Sequence, residues 1–386
     1  MILGIDASNI RSGGGVTHLV ELLRAAVPGD HGIDSVRIWG WVETLEKIDD
    51  REWMQKVSEP LLARQLPYRI FWQLFRLRRI AARAGCDLLF VPGGSAASGF
   101  EPMVTMSQNL LPFEWREMRR YGWSLSTLKF LLLRIIQGRS FRNADGVIFL
   151  TKYARESVLK VVGTLRAATA IIPHGVNPRF IVLPRPQRLP TEFTENQPCR
   201  VLYVSIVDMY KHQWHVAEAV AQLRSIGVPV VLELVGPPAR GMGRLQETLN
   251  RIDPAGTFIV YRGVVPYEEL HSIYAAADIG VFASSCENMP NILVEGMAAG
   301  LPMACSRKSP MPEVLGDAGI YFDPENPHDI ARALQQLIGS ADLRARLAKA
   351  AFDRAKKYSW QRCADETFGF LAGIARVRNE TGERNV

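Results

Sequence analysis

The sequence predicts an α/β protein built from two doubly wound, Rossmann-like domains. Three observations carry this. The chain has 386 residues, more than one ordinary hydrophobic core organises. From Arg200 to about residue 340, short apolar runs rich in β-formers alternate with helix-forming segments, the pattern of a parallel sheet covered by helices. A polar stretch rich in Pro, Thr, Glu and Gln, Pro184–Pro198, reads as a linker between that half and a first half that also opens strand, turn, helix. With 47% hydrophobic and 22% charged residues the chain is globular rather than disordered.

In the first half, Met1–Asp6 is a short strand. Gly13–Gly15 then makes a glycine-rich turn before the periodic segment Val16–Ala26. Such a turn lets backbone approach a phosphate closely. The spacing is not G-x-G-x-x-G, so the dinucleotide fingerprint is absent. Val36–Val42 reads as the next strand, and residues 43–60 as a helix or strand with a charged surface. Arg69–Arg83 reads as an amphipathic helix. Ile70, Leu74, Leu77 and Ala81 share one face with Phe71, and Arg69, Arg76, Arg79 and Arg83 the other, with Trp72 among the arginines. Strands follow at Asp87–Pro92, Met103–Met106 and Gly146–Phe149. Thr151 is placed to cap the helix Lys152–Val161, and Ile171–Pro178 closes the half.

In the second half, strands are expected at Val201–Ile206, Val230–Val235, Thr257–Arg262, Ile279–Ala283, Pro302–Ser306 and Ala318–Phe322. Helices are expected at Trp214–Ser225, Gly243–Ile252, Tyr267–Ala275, Ile292–Ala299, Pro327–Ile338 and Ala341–Lys356, with a last one at Gln361–Ala375. Domain limits follow: 1–180, 199–360, and a C-terminal helical segment 361–386.

The most informative stretch is Ser284–Gly300, SSCENMPNILVEGMAAG. Glu287 falls in the loop at the C-terminal end of a strand, where open α/β sheets bind ligands. Glu295 falls in the following helix, about two turns on. The segment Asn288, Met289, Pro290, Asn291 puts N–H groups at a helix start, which suits an anion or a sugar hydroxyl. Helices are rich in Glu, so the spacing alone is weak; the flanking Glu-Asn-x-Pro-Asn and Glu-Gly-Met-Ala-Ala-Gly-Leu-Pro give it weight.

This stretch resembles the E-x7-E motif of retaining glycosyltransferases of family 4. The resemblance implies the GT-B fold, two Rossmann-like domains facing across a cleft. The first would bind the acceptor, the second a nucleotide sugar, and residues 361–386 would cross back to the first. It covers about residues 200–375 well and the first half in outline. By resemblance, Gly14 and Gly15 lie beside the donor diphosphate. Gln108, followed by Asn109, stands where related enzymes often carry a histidine near the donor sugar. That change leaves hydrogen bonding rather than proton transfer. Lys211 matches the lysine that binds the diphosphate, while Ile206 occupies the position of its usual arginine partner. Gly236, Arg262 and Gly263 end strands near the nucleotide, the last loop against the base. Glu295 would bind ribose hydroxyls and Glu287 would lie beside the donor sugar. Glu313 resembles a helix-start acid on the same rim; a surface group favouring a helix dipole fits it equally. His174 in IIPHGVNP replaces the usual Asn at the inter-domain crossing. Catalytic roles are thus expected for Glu287, Lys211 and Gln108.

No Asp-x-Asp occurs, so neither a metal nor another cofactor is expected beyond the nucleotide sugar as substrate. The five cysteines lack any C-x-x-C pair, which suits a reducing compartment. The first residues lack a basic, long-apolar leader, so a cytoplasmic location is expected.

Net charge is +7, and residues 64–142 alone hold 13 Lys+Arg against 4 Asp+Glu. That basic block, with Trp72, Trp115 and Trp123 and the apolar run Leu131–Leu133, suggests peripheral attachment to an anionic inner membrane face. The acceptor would then be a lipid-linked saccharide of bacterial surface polysaccharide synthesis (O-antigen, capsule or exopolysaccharide). A transferase with a soluble acceptor and a nucleotide-sugar epimerase or hydrolase remain alternatives. A nucleic-acid binder is disfavoured, because the aromatics and arginines sit at amphipathic helix spacing and in no nucleic-acid motif.

Overall fold

The computed structural model describes residues 1–380. The chain forms two compact units, one of residues 1–118, 122–175 and 359–380, the other of 119–121 and 176–358.

The first unit holds a seven-stranded sheet. Its strands are β1 (Ile2–Ala7), β2 (Ser35–Gly40), β3 (Met54–Ser58), β4 (Leu88–Val91), β5 (Met103–Met106), β6 (Gly146–Phe149) and β7 (Ala168–Ile171). The order is β3-β2-β1-β4-β5-β6-β7, with parallel pairing throughout. The second unit holds β8 (Cys199–Val204), β9 (Val230–Val235), β10 (Ile259–Gly263), β11 (Ile279–Phe282), β12 (Met303–Ser306) and β13 (Gly319–Phe322). Their order is β10-β9-β8-β11-β12-β13, again parallel. Strands β4, β5, β6, β11 and β12 are buried at every residue. Helices cover both faces of a parallel sheet, so its inner strands read as unbroken apolar runs. In each sheet the order reverses next to its first strand, between β1 and β4 and between β8 and β11. Loops after those strands flank a switch point, where such sheets take ligands.

Residues 43–60 contribute β3 at the edge of the first sheet. Thr151 caps Lys152–Val162 by accepting from the Ala154 N–H at 3.0 Å. Helix Trp360–Glu380 buries Ala364, Phe368, Leu371, Ala372 and Ala375 and packs on helix Gly14–Ala25. All five cysteines are free thiols; four are buried and Cys86 is half-buried.

Two expectations are corrected. Arg69–Arg83 is not one α-helix: Leu66–Trp72 and Arg78–Arg83 are α-helical, and Gln73–Leu77 between them is a π turn. The wider turn shifts the phase. Trp72, Leu77 and Ala81 are buried, while Ile70, Phe71, Leu74 and Phe75 are exposed. Trp72 is therefore a core residue, not an interfacial one. The arginines Arg76, Arg79 and Arg83 are exposed. The second correction concerns Pro184–Pro198, which is a strap docked on the second unit rather than a free linker. Arg185 pairs with Asp278 at 2.8 Å. Phe193 is buried beneath the guanidinium groups of Arg188 and Arg344, 4.5 and 5.1 Å from its ring centroid. The buried Arg344 donates to the carbonyls of Leu337 and Ile338, at a helix C-terminus, and to Arg188 of the strap.

Gly175 marks where the chain leaves the first unit. A Cβ there would lie 2.2 Å from the Trp360 backbone nitrogen. Gly175→Ala is expected to cost about 1–3 kcal/mol or more in urea unfolding, because backbone on both sides must shift. Gly373, helical with open space at its Cβ, is the control: Ala there should be neutral or stabilise by up to about 1 kcal/mol.

Candidate active site

Lys211 lies in the loop after β8, and Glu287 in the loop after β11. These strands are neighbours, so the two loops share the switch point of the second sheet. The Lys211 ammonium is ion-paired with Glu287, with 7% and 14% of the respective side chains exposed. The Tyr210 and Phe282 rings lie 5.0 and 5.2 Å from the ammonium, a favourable cation–π setting. The Lys211 loop is fixed from inside: Tyr203 Oη donates to the Lys211 carbonyl at 2.6 Å and Gln213 Nε2 to the Ile206 carbonyl at 2.7 Å. Ile206 itself is 38% exposed on this loop.

The two loops are also tied together, by residues that sequence reasoning missed. The Ser285 N–H donates to the Tyr210 carbonyl at 2.8 Å, and His212 Nε2 lies 2.9 Å from Ser285 Oγ. Burial, then the nearby Arg120 charge, pushes His212 down to about 3, so its ring is neutral. On the other side, the Glu287 N–H donates to Ser309 Oγ at 3.0 Å, and that hydroxyl donates to the Glu287 carbonyl at 3.1 Å. Both clamps have left-handed backbone, φ 53° at His212 and 56° at Ser309. A non-glycine residue there costs about 1–3 kcal/mol and persists where its surroundings insist on it.

Glu295 is in helix Asn291–Ala298, whose N-cap is Pro290. It accepts from Tyr274 Oη at 3.1 Å and from Tyr267 Oη at 3.5 Å. Burial raises its carboxyl to about 7 against those two bonds. Asn288 and Met289 are buried, and Asn291 is half-buried at the helix start. The two glutamates of the motif thus differ sharply: Glu287 faces a cation, Glu295 two phenols.

Gly236 and Gly263 lie on the same rim, the Gly236 N–H donating to the Gly263 carbonyl at 2.8 Å. At Gly236, with φ 142°, a Cβ would sit 2.1 Å from the Ser205 carbonyl oxygen, so the close approach of the loops after β8 and β9 at this point requires glycine. Arg262 is ion-paired with Glu233, which also pairs with Arg200 at 3.1 Å. Its guanidinium thus bridges strands β9 and β10. Glu313 is half-buried in the first turn of Met311–Leu315.

In the first unit, Gly14 opens helix Gly14–Ala25, and no side chain caps its N-terminus among the described residues. Gln108 follows β5. A Cβ on Gly15 would lie 3.2 Å from Gln108 Oε1, so Gly15 and Gln108 are adjacent. Gln108 Nε2 lies 3.1 Å from Nδ1 of the fully buried His18, a partner the sequence did not reveal. The His18 ring stacks on His174 with centroids 4.5 Å apart, and His174 on Trp360 at 5.7 Å. Burial, reinforced by His174, holds His18 well below the usual histidine range. Its neutral ring can accept from the Gln108 amide. Among the described residues no group of three or more His, Cys, Asp or Glu is arranged to hold a metal.

Two family models match. Residues 12–180 match Glycosyltransferase Family 4 and residues 198–340 match Glycosyl transferases group 1. Among curated relatives, the chain is 34% identical over 110 residues to the O-antigen chain mannosyltransferase B of Escherichia coli, covering 28% of this chain and 29% of that protein. It is 36% identical over 137 residues to the D-inositol 3-phosphate glycosyltransferase of Corynebacterium kroppenstedtii, covering 34% and 30%. The alignments thus span under a third of these relatives. Among solved structures, sucrose-phosphate synthase from Thermosynechococcus elongatus superposes with a TM-score of 0.74 at 18% identity, over 99% of this chain and 100% of that one. Anabaena HepE in complex with UDP and glucose gives 0.68 at 16%, over 96% and 99%. With a family model on each half and this fold throughout, the chain belongs to the GT-B glycosyltransferases of the group 1 and family 4 type.

Proposed function

We propose that this chain transfers a sugar from a nucleoside-diphosphate donor to a saccharide acceptor, with retention at the anomeric carbon and without a metal. The observation that carries the reading is the Lys211–Glu287 pair at the switch point, with the buried Glu295 on the helix behind it. Lys211 supplies a point charge to the leaving diphosphate. The donor phosphate displaces part of its interaction with Glu287, which turns to the donor sugar. The backbone N–H groups of Asn288 and Met289 add fixed dipoles, as, by resemblance, do those of Gly14 and Gly15. Glu295 accepts from the ribose hydroxyls, and the loops of Gly236, Arg262 and Gly263 lie toward the base. Gln108, oriented by His18, hydrogen-bonds the donor sugar. The acceptor oxygen bonds to the anomeric carbon on the face that the diphosphate leaves, and its proton passes to the departing phosphate oxygen. Glu287 stays partly paired with Lys211 while the donor is bound, which favours this front-face course over a covalent glycosyl-enzyme.

The acceptor we favour is a lipid-linked saccharide of surface polysaccharide synthesis, met at the inner face of the plasma membrane. Support comes from helix Leu125–Asn143. It has no acidic residue, and it carries Lys129, Arg134, Arg139 and Arg142. No side chain from 125 to 136 is buried. Leu125, Leu128, Leu132 and Ile135 recur at helical spacing, 83%, 64%, 56% and 53% exposed, next to a fully exposed Trp123. An apolar stripe flanked only by cations fits an anionic lipid surface. No described helix is long and apolar enough to cross a membrane.

The primary test is thermal stabilisation by a panel of nucleotide sugars, followed by turnover in chelator. A donor should raise the melting temperature, and turnover should persist in chelator. No stabilisation by any donor would remove the reading, and turnover that needs added magnesium or manganese would overturn its metal-free part.

The two glutamates should separate kinetically. Glu287→Gln, which spares Lys211 an empty cavity, should lower kcat at least about a hundredfold with little change in donor affinity. Ser309→Ala should lower kcat by a smaller factor. Glu295 accepts best when ionised, so donor affinity should rise from pH 6 to pH 8, and Glu295→Gln should flatten that rise. The stability sign is opposite. A carboxyl raised from 4.5 to about 7 by burial contributes stability below pH 4.5 that is lost as pH approaches 7. Glu295→Gln should therefore raise the melting temperature of the ligand-free protein at pH 8 while weakening the donor. Identical kinetics in all three variants would contradict these roles.

For the membrane, flotation with anionic vesicles should succeed at low salt. Each Lys or Arg near the surface is worth roughly 1 kcal/mol, and each inserted aliphatic side chain roughly 1.5–3 kcal/mol if fully buried. Leu128→Glu with Leu132→Glu should abolish binding, and Arg76, Arg79 and Arg83 changed to Glu should weaken it. A wild-type protein that ignores such vesicles would favour a soluble acceptor.

A further inference from the structure

Among the described residues, two arginines of the first domain stand together without a carboxylate partner. Arg11 lies between the end of β1 and the glycine turn; Arg69 is on helix Leu66–Trp72. Each reaches across to the other's segment. Arg69 Nη1 donates to Asn9 Oδ1 at 3.1 Å and approaches the Ser8 carbonyl at 3.4 Å. Arg11 Nη2 donates to the carbonyls of Leu62 and Arg64, and its guanidinium lies 4.7 Å from the Trp41 ring centroid. The Nε atoms of both arginines are buried and lack a hydrogen-bond partner among the described residues. Burial first, and the Arg11 charge second, lower the affinity of Arg69 for its proton, so the two cations repel.

Nothing anionic on either segment relieves this. Residues 7–20 and 60–86 contain no Asp or Glu. Asp6, the carboxylate at the end of β1, is fully buried. It accepts from Gln73 Nε2 at 2.6 Å and the Ser8 N–H at 3.0 Å, and burial raises it. Neither Arg11 nor Arg69 forms an ion pair among the described residues. Arg64, exposed and 5.1 Å from the Tyr68 ring centroid, adds a third cation to the same segment. Adjacent guanidinium groups with spare N–H donors are suited to a phosphate, whose oxygens accept from more than one fork.

We propose that Arg11 and Arg69 bind a phosphate group carried by the acceptor. This deepens the proposed transfer reaction and rests on it: the acceptor is then a phosphorylated or diphosphate-linked saccharide, held through its anion beside the glycine turn. The repulsion between the arginines is relieved when the anion arrives, so affinity should be high at low salt and fall as salt rises.

The test is amide hydrogen exchange on the full chain, with inorganic pyrophosphate as the probe. Pyrophosphate should slow exchange in residues 8–13 and 62–72, in wild type and equally in Lys211→Gln, which removes the donor-side cation. Arg69→Gln and Arg11→Gln should each weaken that protection about tenfold or more, and Arg69→Lys should retain part of it. Each variant's melting temperature controls for folding. UDP, GDP and ADP should leave these residues unprotected and, where one binds, protect residues in 200–320. That arm reports on the donor reading independently. Three results would overturn the proposal: no protection by pyrophosphate, protection that survives both arginine variants, or equal protection by a nucleoside diphosphate, which would give the site to the donor. Protection by phosphatidylglycerol vesicles but not by pyrophosphate would also overturn it, assigning the arginines to a lipid headgroup.

Discussion

The constraint on which the second domain's rim depends is the near-complete removal of two opposite charges from water. Lys211 and Glu287 are each mostly buried, and either alone would cost several kcal/mol to desolvate. Their attraction compensates only while the geometry holds. Much of the surrounding structure can be understood as holding it: the Tyr203 and Gln213 bonds within one loop, the Ser309 clamp on the other, and the Tyr210–Ser285 and His212–Ser285 ties between them. The left-handed backbone at His212 and Ser309 is strain accepted for the same end. A pair fixed this way can exchange one partner for a ligand without rebuilding its surroundings.

The two motif glutamates illustrate how environment, rather than residue type, sets chemistry. Glu287 is ion-paired with a lysine. Among the described residues Glu295 accepts from two phenols, Tyr274 and Tyr267, and burial raises its carboxyl to about 7 against those bonds. Within one loop and helix the fold has one carboxylate in an ion pair and one whose ionisation burial moves to about 7.

Much of the architecture was legible because parallel strands buried on both faces become short, unbroken apolar runs, as in β11 and β12. The strand–loop–helix unit that carries Glu287 and Glu295 was legible because its three elements follow one another in sequence. What could not be read were partners far apart along the chain. His18 and Gln108 are 90 residues apart, and Glu287 and Ser309 are 22 apart. No local pattern announces either pair. The helix around Arg69–Arg83 was misjudged for a different reason. An α-helical period puts Ile70 on the face of Leu77 and Ala81, whereas the π turn at Gln73–Leu77 puts Trp72, five residues before Leu77, on that buried face instead. Pro184–Pro198 has a linker's composition, yet Phe193, Arg185 and Arg188 anchor it. Composition registers polarity and is blind to a few well-placed anchors.

The thiols have a practical corollary. Cys199, Cys286, Cys305 and Cys363 are buried, and burial pushes the Cys199, Cys305 and Cys363 thiols far up. Even the half-buried Cys86 is held at about 11, mainly by desolvation. Thiolate is the reactive form, so at neutral pH the folded chain offers almost no nucleophilic sulfur. A single cysteine introduced on the surface would then take a maleimide dye nearly alone, and the natural five could stay in place for fluorescence work.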